Sequence, residues 1–361
     1  MSLYIVLNVK DKCQVGIDNQ IIEIIQFLLT LYWKTKSFVS VLNSFYLRAM
    51  QPNEIHKKRI LLSPLNWGMG HVARCIPLIN LFIENGNTVF VAGNKEQLNV
   101  FKSYFPTINY VEHDGYPFVF GKRGDFGLDL FKQFRPLKKR LKDELLEVDS
   151  LLDSYKIDIV ISDHRYGFRS EKAHSILLTH QLNLPVQWFE GWVQKIHNKH
   201  LRKFNEIWVP DSSDSSFAGN LSKNKERFNA TYIGILSRFS SYEKIPEKTI
   251  DKVIILSGPA IYAKVFLQEQ LLSVSQDEQN VVIITSQEIA DLHQNSTVKI
   301  LASTDWKVCD QLILSAKKIV ARSGYSTLMD LVELKTPFQI TPTPGQREQE
   351  YLFDLWYKKT L

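Results

Sequence analysis

At 361 residues, with 44% hydrophobic and 23% charged side chains, the chain can fill two ordinary α/β domains and has the composition of a globular protein. Cys13, Cys75 and Cys309 lie far apart without metal-ligand spacing, which excludes a disulfide framework and implies a reducing compartment. A net charge of +6 and a pI near 8.9 favour anionic partners without choosing among them.

Residues 1–56 differ from the rest. The run 19–50 is apolar, but Glu23, Gln26 and Lys34 interrupt it well short of the ~20 residues of a membrane span. It has neither a basic leader nor a small-residue cleavage site, so a signal peptide is not expected. Residues 1–56 therefore read as a helical extension packed on the main body, running from 51 into a linker, or as a segment upstream of the true start. Attachment to a membrane surface is the remaining reading.

From Arg59 the pattern becomes strand, then helix, repeated. Strands are predicted at 59–65, 87–93, 107–113, 157–163, 175–180 and 206–211, with a long helix over 128–155. After a polar stretch at 236–250 the pattern restarts, with strands at 251–259, 279–287, 296–303, 316–324 and 336–344. Apolar runs alternating with helices indicate parallel sheets covered on both faces. The expected architecture is two doubly wound Rossmann-like domains in tandem, 57–235 and 251–361, joined by a linker.

In such sheets, ligands bind beyond the carboxyl ends of the strands. Three glycine-bearing segments fall there: "NWGMGH" (66–71), Ser257-Gly258-Pro259, and "RSGYST" (322–327). Glycine lets backbone N–H groups approach a ligand, and a helix opening behind it directs a positive dipole end at an anion. An ordinary turn also calls for glycine, so only the convergence of the three is informative. No G-x-G-x-x-G, Walker loop, C-x-x-C, H-x-E or G-x-S-x-G motif occurs, which argues against dinucleotide enzymes, P-loop enzymes, metallohydrolases and α/β-hydrolases.

From Arg59 onward the chain resembles the glycosyltransferase family 28 group, whose GT-B fold sets two Rossmann-like domains facing across a cleft. "WGMGHVARCIPLI" is similar to that group's amino-terminal G-x-G-H loop. "ARSGYSTLMDLVELKTPFQITPTPGQREQEY" is similar to its donor motif, the more specific of the two. "SDHRYGF" (162–168), "THQLN" (179–183) and "PTPGQREQEY" resemble an uncharacterised bacterial branch of the group, acting on cell-envelope glycans. The resemblance implies inverting hexosyl transfer from a nucleotide sugar such as UDP-N-acetylglucosamine, with no obligatory metal and no resident cofactor. The acceptor would be a lipid-linked or cell-surface glycan, met in the cytoplasm or at the inner face of the membrane.

The same resemblance implies residue roles. Gly68 and Gly70 would bring the first loop beneath the donor. Gly258, Ser323 and Gly324 would offer N–H groups to the diphosphate. Asp330 would hold the ribose hydroxyls, with an ordinary exposed helix acid as the alternative. Gln346 and Gln349 would stand near the donor sugar. His71, at a helix start, is either the general base or a phosphate contact. His180 is a second such candidate or a strand-end structural histidine. Asp163 and Arg165 stand on the acceptor side; Arg165 would clasp an acceptor phosphate or close the loop on an aspartate. The basic helical runs 132–142 and 194–203 read as solvated faces or as contacts to an anionic membrane. No nucleic-acid recognition motif accompanies them.

Two departures stand against the resemblance. "SGPAIYAK" (257–264) lacks the longer glycine-rich loop of the group's peptidoglycan enzyme. The group's members also continue past the point matching Leu361 with a helix returning to the first domain, which implies a shortened carboxy-terminal domain. A nucleotide-sugar 2-epimerase and a non-catalytic sugar-nucleotide-binding protein share the expected fold and are the alternatives to transfer.

Overall fold

A computed structural model describes residues 50–117, 133–185, 190–258, 260–274, 278–292 and 298–360, so the expected extension over 1–49 lies outside the described residues. Met50–Leu361 forms one compact unit. Its first half is a parallel sheet of seven strands: β1 (Arg59–Pro64), β2 (Thr88–Gly93), β3 (Asn109–Glu112), β4 (Ile159–Asp163), β5 (His174–Leu178), β6 (Glu206–Val209) and β7 (Ala230–Tyr232). They run in the order 3-2-1-4-5-6-7, flanked by α1 (Gly70–Glu84), α2 (Lys95–Tyr104), α3 (Phe134–Tyr155) and α4 (Glu190–Leu201).

The second half repeats the scheme with β8 (Lys252–Ile255), β9 (Val281–Thr285), β10 (Lys299–Ala302), β11 (Ile319–Arg322) and β12 (Phe338–Thr341), ordered 10-9-8-11-12 and all parallel. Its helices are α5 (Ala260–Leu272), α6 (Gln287–Leu292), α7 (Trp306–Leu314), α8 (Tyr325–Leu334) and α9 (Arg347–Thr360).

The apolar runs follow from burial on both faces. Along β1, Ile60 and Leu62 pack with Val72, Ile76 and Ile79 of α1. Leu61, pointing the other way, packs with Val148 and Leu152 of α3. Each such side chain, once fully buried, contributes about 1.5–3 kcal/mol. Both sheets reverse their strand order once, between β1 and β4 and between β8 and β11. Those reversals are the topological switch points where a ligand crevice opens. The β1–β4 register pairs Pro64 with Asp163, so the loop entering α1 and the one leaving β4 emerge side by side.

The two halves meet through packed helices. Tyr325, Leu328 and Met329 of α8 and Leu352 of α9 join the same apolar cluster as Val72, Cys75 and Ile76 of α1. The final helix lies against the first half: the Asn220 N–H donates to Tyr351 Oη (2.8 Å), and Trp356 Nε1 donates to the Phe217 carbonyl (3.2 Å).

Three local features differ from the expectation. Strand β7 is additional; its three residues gain strand geometry only by pairing with β6. Residues 51–56 do not hang free: Ile55 enters the core and Trp208 Nε1 donates to the Met50 carbonyl (2.9 Å). The start of the expected 236–250 linker is a packed 3-10 turn, Arg238–Ser241, because Arg238 has buried carboxylates to pair with. Among the described residues no helix is long and apolar enough to cross a membrane.

Candidate functional site

The loop from β1 to α1 is held by Asn66, whose Oδ1 accepts from the Tyr116 N–H (2.9 Å) and whose Nδ2 donates to the Tyr116 carbonyl (3.1 Å). Helix α1 then begins at Gly70 with no side chain capping it, so its dipole end faces the crevice. Gly70 is needed for close approach rather than for its backbone angle: a Cβ there would lie 3.1 Å from Ser326 Oγ, across the junction of the halves. Around Gly68 a Cβ would meet nothing within 4 Å.

His71 lies in the first turn of α1 and Arg74 one turn on, both directed at Asp163 at the end of β4. Asp163 is fully buried. Its Oδ2 accepts from Arg74 Nε (2.9 Å) and lies 3.0 Å from His71 Nδ1, while Arg74 Nη2 donates to its Oδ1. Arg74 Nη2 is also 2.8 Å from His71 Nδ1, and Arg74 Nη1 is 3.2 Å from His180 Nδ1. Although burial opposes its charge, Arg74 and His71 hold the Asp163 carboxyl well below the usual range. Burial pushes His71 below 6.5, with Asp163 opposing and Arg74 reinforcing, so the imidazole is neutral at pH 7.

His164 follows with φ +60°, a left-handed conformation that a bulky residue holds only where its surroundings enforce it. Its ring stands between those of His71 and His180, with centroids 5.8 and 6.0 Å away. Among the described residues, His71, Asp163 and His164 form the one metal-capable group, their ligand atoms within 4.8 Å of one another. The Arg74 guanidinium already sits on Asp163 and His71, so a divalent cation would meet a fixed positive charge. The donor set does not fit a metal.

The second half completes the cluster. Tyr325, at the start of α8, stacks on His180 with centroids 3.7 Å apart and planes 4° from parallel. Glu348 of α9 lies with Oε1 3.1 Å from His180 Nε2 and accepts through Oε2 from Gln181 Nε2. His71, Asp163 and His180 are thus brought together with Arg74, His164, Tyr325 and Glu348, which sequence reasoning did not single out. Arg74 carried a faint signal, three residues after His71 on the same helix face. Glu348 lay inside a quoted motif but gave way to its glutamine neighbours.

The residues expected on the donor side lie after β8 and β11 and in the turn before α9. Gly258 follows β8 with φ +90°, a conformation that requires glycine. Gly324 is the N-cap of α8, again without a side-chain cap. Ser323 Oγ donates to the Gln349 carbonyl (2.8 Å), Gln349 Oε1 accepts from the Thr343 N–H (2.8 Å), and Gln349 Nε2 donates to Gln346 Oε1 (2.5 Å). This web fixes the turn before α9 against the start of α8.

Two residues stand elsewhere than expected. Arg165 is fully buried and does not reach the crevice: its Nε donates to Glu144 Oε1 (2.7 Å), its Nη1 to Ser63 Oγ (2.9 Å) and its Nη2 to the Asp114 carbonyl (2.6 Å). The arginine that bridges to Asp163 is Arg74. Asp330 is not an exposed helix acid; it accepts from Ser237 Oγ (2.8 Å) and from Arg238 Nη1. With Arg238 and Thr327 it lines a small cavity whose other walls are apolar core side chains, Ile255, Phe239, Ile313, Leu331 and Leu334. Burial lifts its pKa despite Arg238.

No protein-family model matches the chain. A curated relative, an uncharacterized glycosyltransferase of Methanosarcina mazei, is 21% identical over 327 residues, covering 81% of each chain. Among solved structures, the spinosyn rhamnosyltransferase SpnG complexed with thymidine diphosphate superposes with a TM-score of 0.56 at 14% identity, covering 84% of this chain and 85% of that one. The glycotransferase of kitacinnamycin gives 0.55 at 12% identity, covering 83% and 85%. The fold is GT-B: two parallel-sheet, Rossmann-like domains with their switch points turned to a common crevice.

Proposed function

We propose that the chain is a glycosyltransferase moving a hexosyl group from a pyrimidine nucleoside diphosphate, UDP or TDP, to a hydroxyl of a glycan or lipid-linked acceptor. The observation that carries this reading is the His71–Asp163–Arg74 cluster at one switch point, set against the uncapped start of α8 at the other. The thymidine diphosphate bound by the spinosyn enzyme agrees with the donor class.

In this reading Gly258, Ser323 and Gly324 receive the diphosphate on backbone N–H groups and the α8 dipole. Gln346 and Gln349 stand beside the sugar. Asp163 accepts the Nδ1–H of neutral His71, leaving the Nε2 lone pair free. Nε2 removes the acceptor hydroxyl proton as that oxygen bonds to the anomeric carbon from the face opposite the diphosphate. The bond from that carbon to the diphosphate breaks, its electron pair leaves with the nucleoside diphosphate, and the configuration inverts. The helix start stabilises the departing charge, and no metal is required.

The test is His71→Ala. Turnover of UDP- or TDP-hexose should fall about 10²–10⁴-fold, the usual worth of general-base catalysis, with donor affinity unchanged. Wild-type turnover should fall as pH drops through the lowered imidazole pKa, below 6.5, and the variant should lose that limb. A variant losing donor affinity in proportion to rate makes His71 a phosphate contact instead. Nucleotide-sugar binding without turnover on a broad acceptor panel refutes transfer.

A further inference from the structure

The segment between β7 and β8 joins the two halves, and a group of buried charges outside the His71 cluster holds it. Arg238 donates from Nε to Asp310 Oδ1 of α7 (2.8 Å) and from Nη1 to Asp330 Oδ2 of α8. Asp310 is fully buried and Asp330 nearly so. The first half reaches the same group. Tyr104 of α2 donates its hydroxyl to Asp310 Oδ2, and Asn80 Nδ2 of α1 donates to Ser241 Oγ (2.6 Å). Tyr242 brings a second hydroxyl to Asp310 Oδ2 (3.0 Å).

This segment takes up most of the Asp330 carboxylate. Its Oδ1 accepts from Ser237 Oγ (2.8 Å) and from the Arg238 N–H (3.3 Å), and its Oδ2 accepts from Arg238 Nη1. A carboxylate offers about four acceptor positions, so about one remains, whereas clasping both ribose hydroxyls takes two. Holding the sugar would therefore unfasten Ser237 or Arg238. The small cavity beside Asp330 is walled mostly by apolar core side chains, which offer a ribose no polar partner.

We propose that Asp330 is a positioning residue that anchors the connection between the halves, and that the ribose hydroxyls of the donor are bound by other groups. Through Arg238 and Asp310 it ties the second half to Tyr104, and so fixes the donor side against His71 in the first half. One planar guanidinium reaching two carboxylates on different helices is a geometry that a lysine does not supply. This departs from the role that the resemblance implies for the position. The part concerning ribose rests on the proposed transfer activity; the anchoring does not.

Calorimetry with UDP and 2′-deoxy-UDP, on the wild type and on Asp330→Asn, tests the ribose. The ratio of the two affinities should agree within about twofold between the proteins. A carboxylate that accepts the 2′-hydroxyl would favour UDP by about tenfold or more, and a variant that loses such a preference overturns the assignment. Urea unfolding tests the anchor. Asp330→Asn and Arg238→Met should each lower the midpoint, and together they should lower it no further than the worse of the two. Losses that simply add overturn the anchor. Tyr104→Phe removes only the first half's bond to Asp310, and so separates placement from stability. It should leave UDP affinity unchanged and lower turnover of a UDP-hexose severalfold, up to about 10²-fold. Unaltered turnover overturns the positioning role. A wild type that neither binds nor turns over a nucleotide sugar removes the transfer reading, and the unfolding series still decides the anchor.

Discussion

Replacing Asp163 by asparagine tests whether the centre of the site is a buried ion pair serving a histidine. The shape is kept and the charge is lost. In the native protein the carboxylate is fully buried, takes two hydrogen bonds from Arg74 and lies 3.0 Å from His71 Nδ1. Arg74 is 2% exposed, so in the variant a guanidinium stays in the interior with its counter-ion gone. Breaking a buried pair from one side costs about 3–5 kcal/mol, whereas removing both charges is near neutral. Asp163→Asn should therefore lower stability by about that much in urea unfolding followed by tryptophan fluorescence. Adding Arg74→Met to it should raise stability again, although a second core residue has been changed. Turnover should not return, because His71 still lacks the carboxylate that takes its Nδ1 proton. A loss below ~1 kcal/mol for Asp163→Asn, or two substitutions that simply add, would refute the ion-pair account.

Gly70→Ala should destabilise by ~1–3 kcal/mol in the same assay, because its Cβ arrives 3.1 Å from Ser326 Oγ and 3.2 Å from Ser326 Cβ. Gly68→Ala, with open space around it, should stay within ~0.5 kcal/mol, and equal effects would remove the close-approach argument. A chain starting at Met50 should melt like the full chain, while one starting at Lys57 loses Ile55 from the core and should be weaker by ~2–5 kcal/mol; equal melting of the two would show that 50–56 contributes nothing. Burial holds His113, His197 and His200 at about 4 and lowers His71 and His164 as well. Below pH 6.5 the unfolded chain therefore binds protons that the native one refuses. Stability should be complete above that pH and fall towards pH 4 at up to about 1.4 kcal/mol per unit for each histidine. Glu144 and Asp330, raised by burial, act oppositely but are outnumbered; unfolding free energy that stays flat from pH 7 to 4 would show that these imidazoles are not held neutral.

The sheets were legible because a parallel strand covered on both faces must be apolar at nearly every position. Val253, Ile254 and Ile255 or Val281 to Ile284 then stand out without any count of periodicity. Strand β7 carries no such mark; Ala230, Thr231 and Tyr232 extend only because β6 lies beside them. The docking of 51–56 was equally silent, since one isoleucine and one backbone carbonyl anchor an otherwise polar stretch. Arg238 misled for the opposite reason. A charged residue in a serine-rich stretch reads as solvated, and only Asp310 and Asp330, far along the chain, turn it inward.

The site was legible where topology alone decides position. His71, Asp163 and His180 follow strand ends, and strand ends converge whatever the packing. Arg74 and Glu348 sit on helices, where charge is usually solvent-facing, and their partners come from the tertiary arrangement: Asp163 from β4 for one, His180 from beyond β5 for the other. Arg165 shows the converse. Two residues from Asp163, it invites a local bridge, but His164 turns the chain through a left-handed conformation and sends the guanidinium under the loop to Glu144. The cluster is therefore shared between the halves in its electrostatics as well as its contacts. Arg74 touches His71 and His180 in the first half, and Glu348 is brought to His180 by the second. The Glu348 charge is felt at Arg74, where with Asp163 it favours the charged guanidinium against the burial that opposes it.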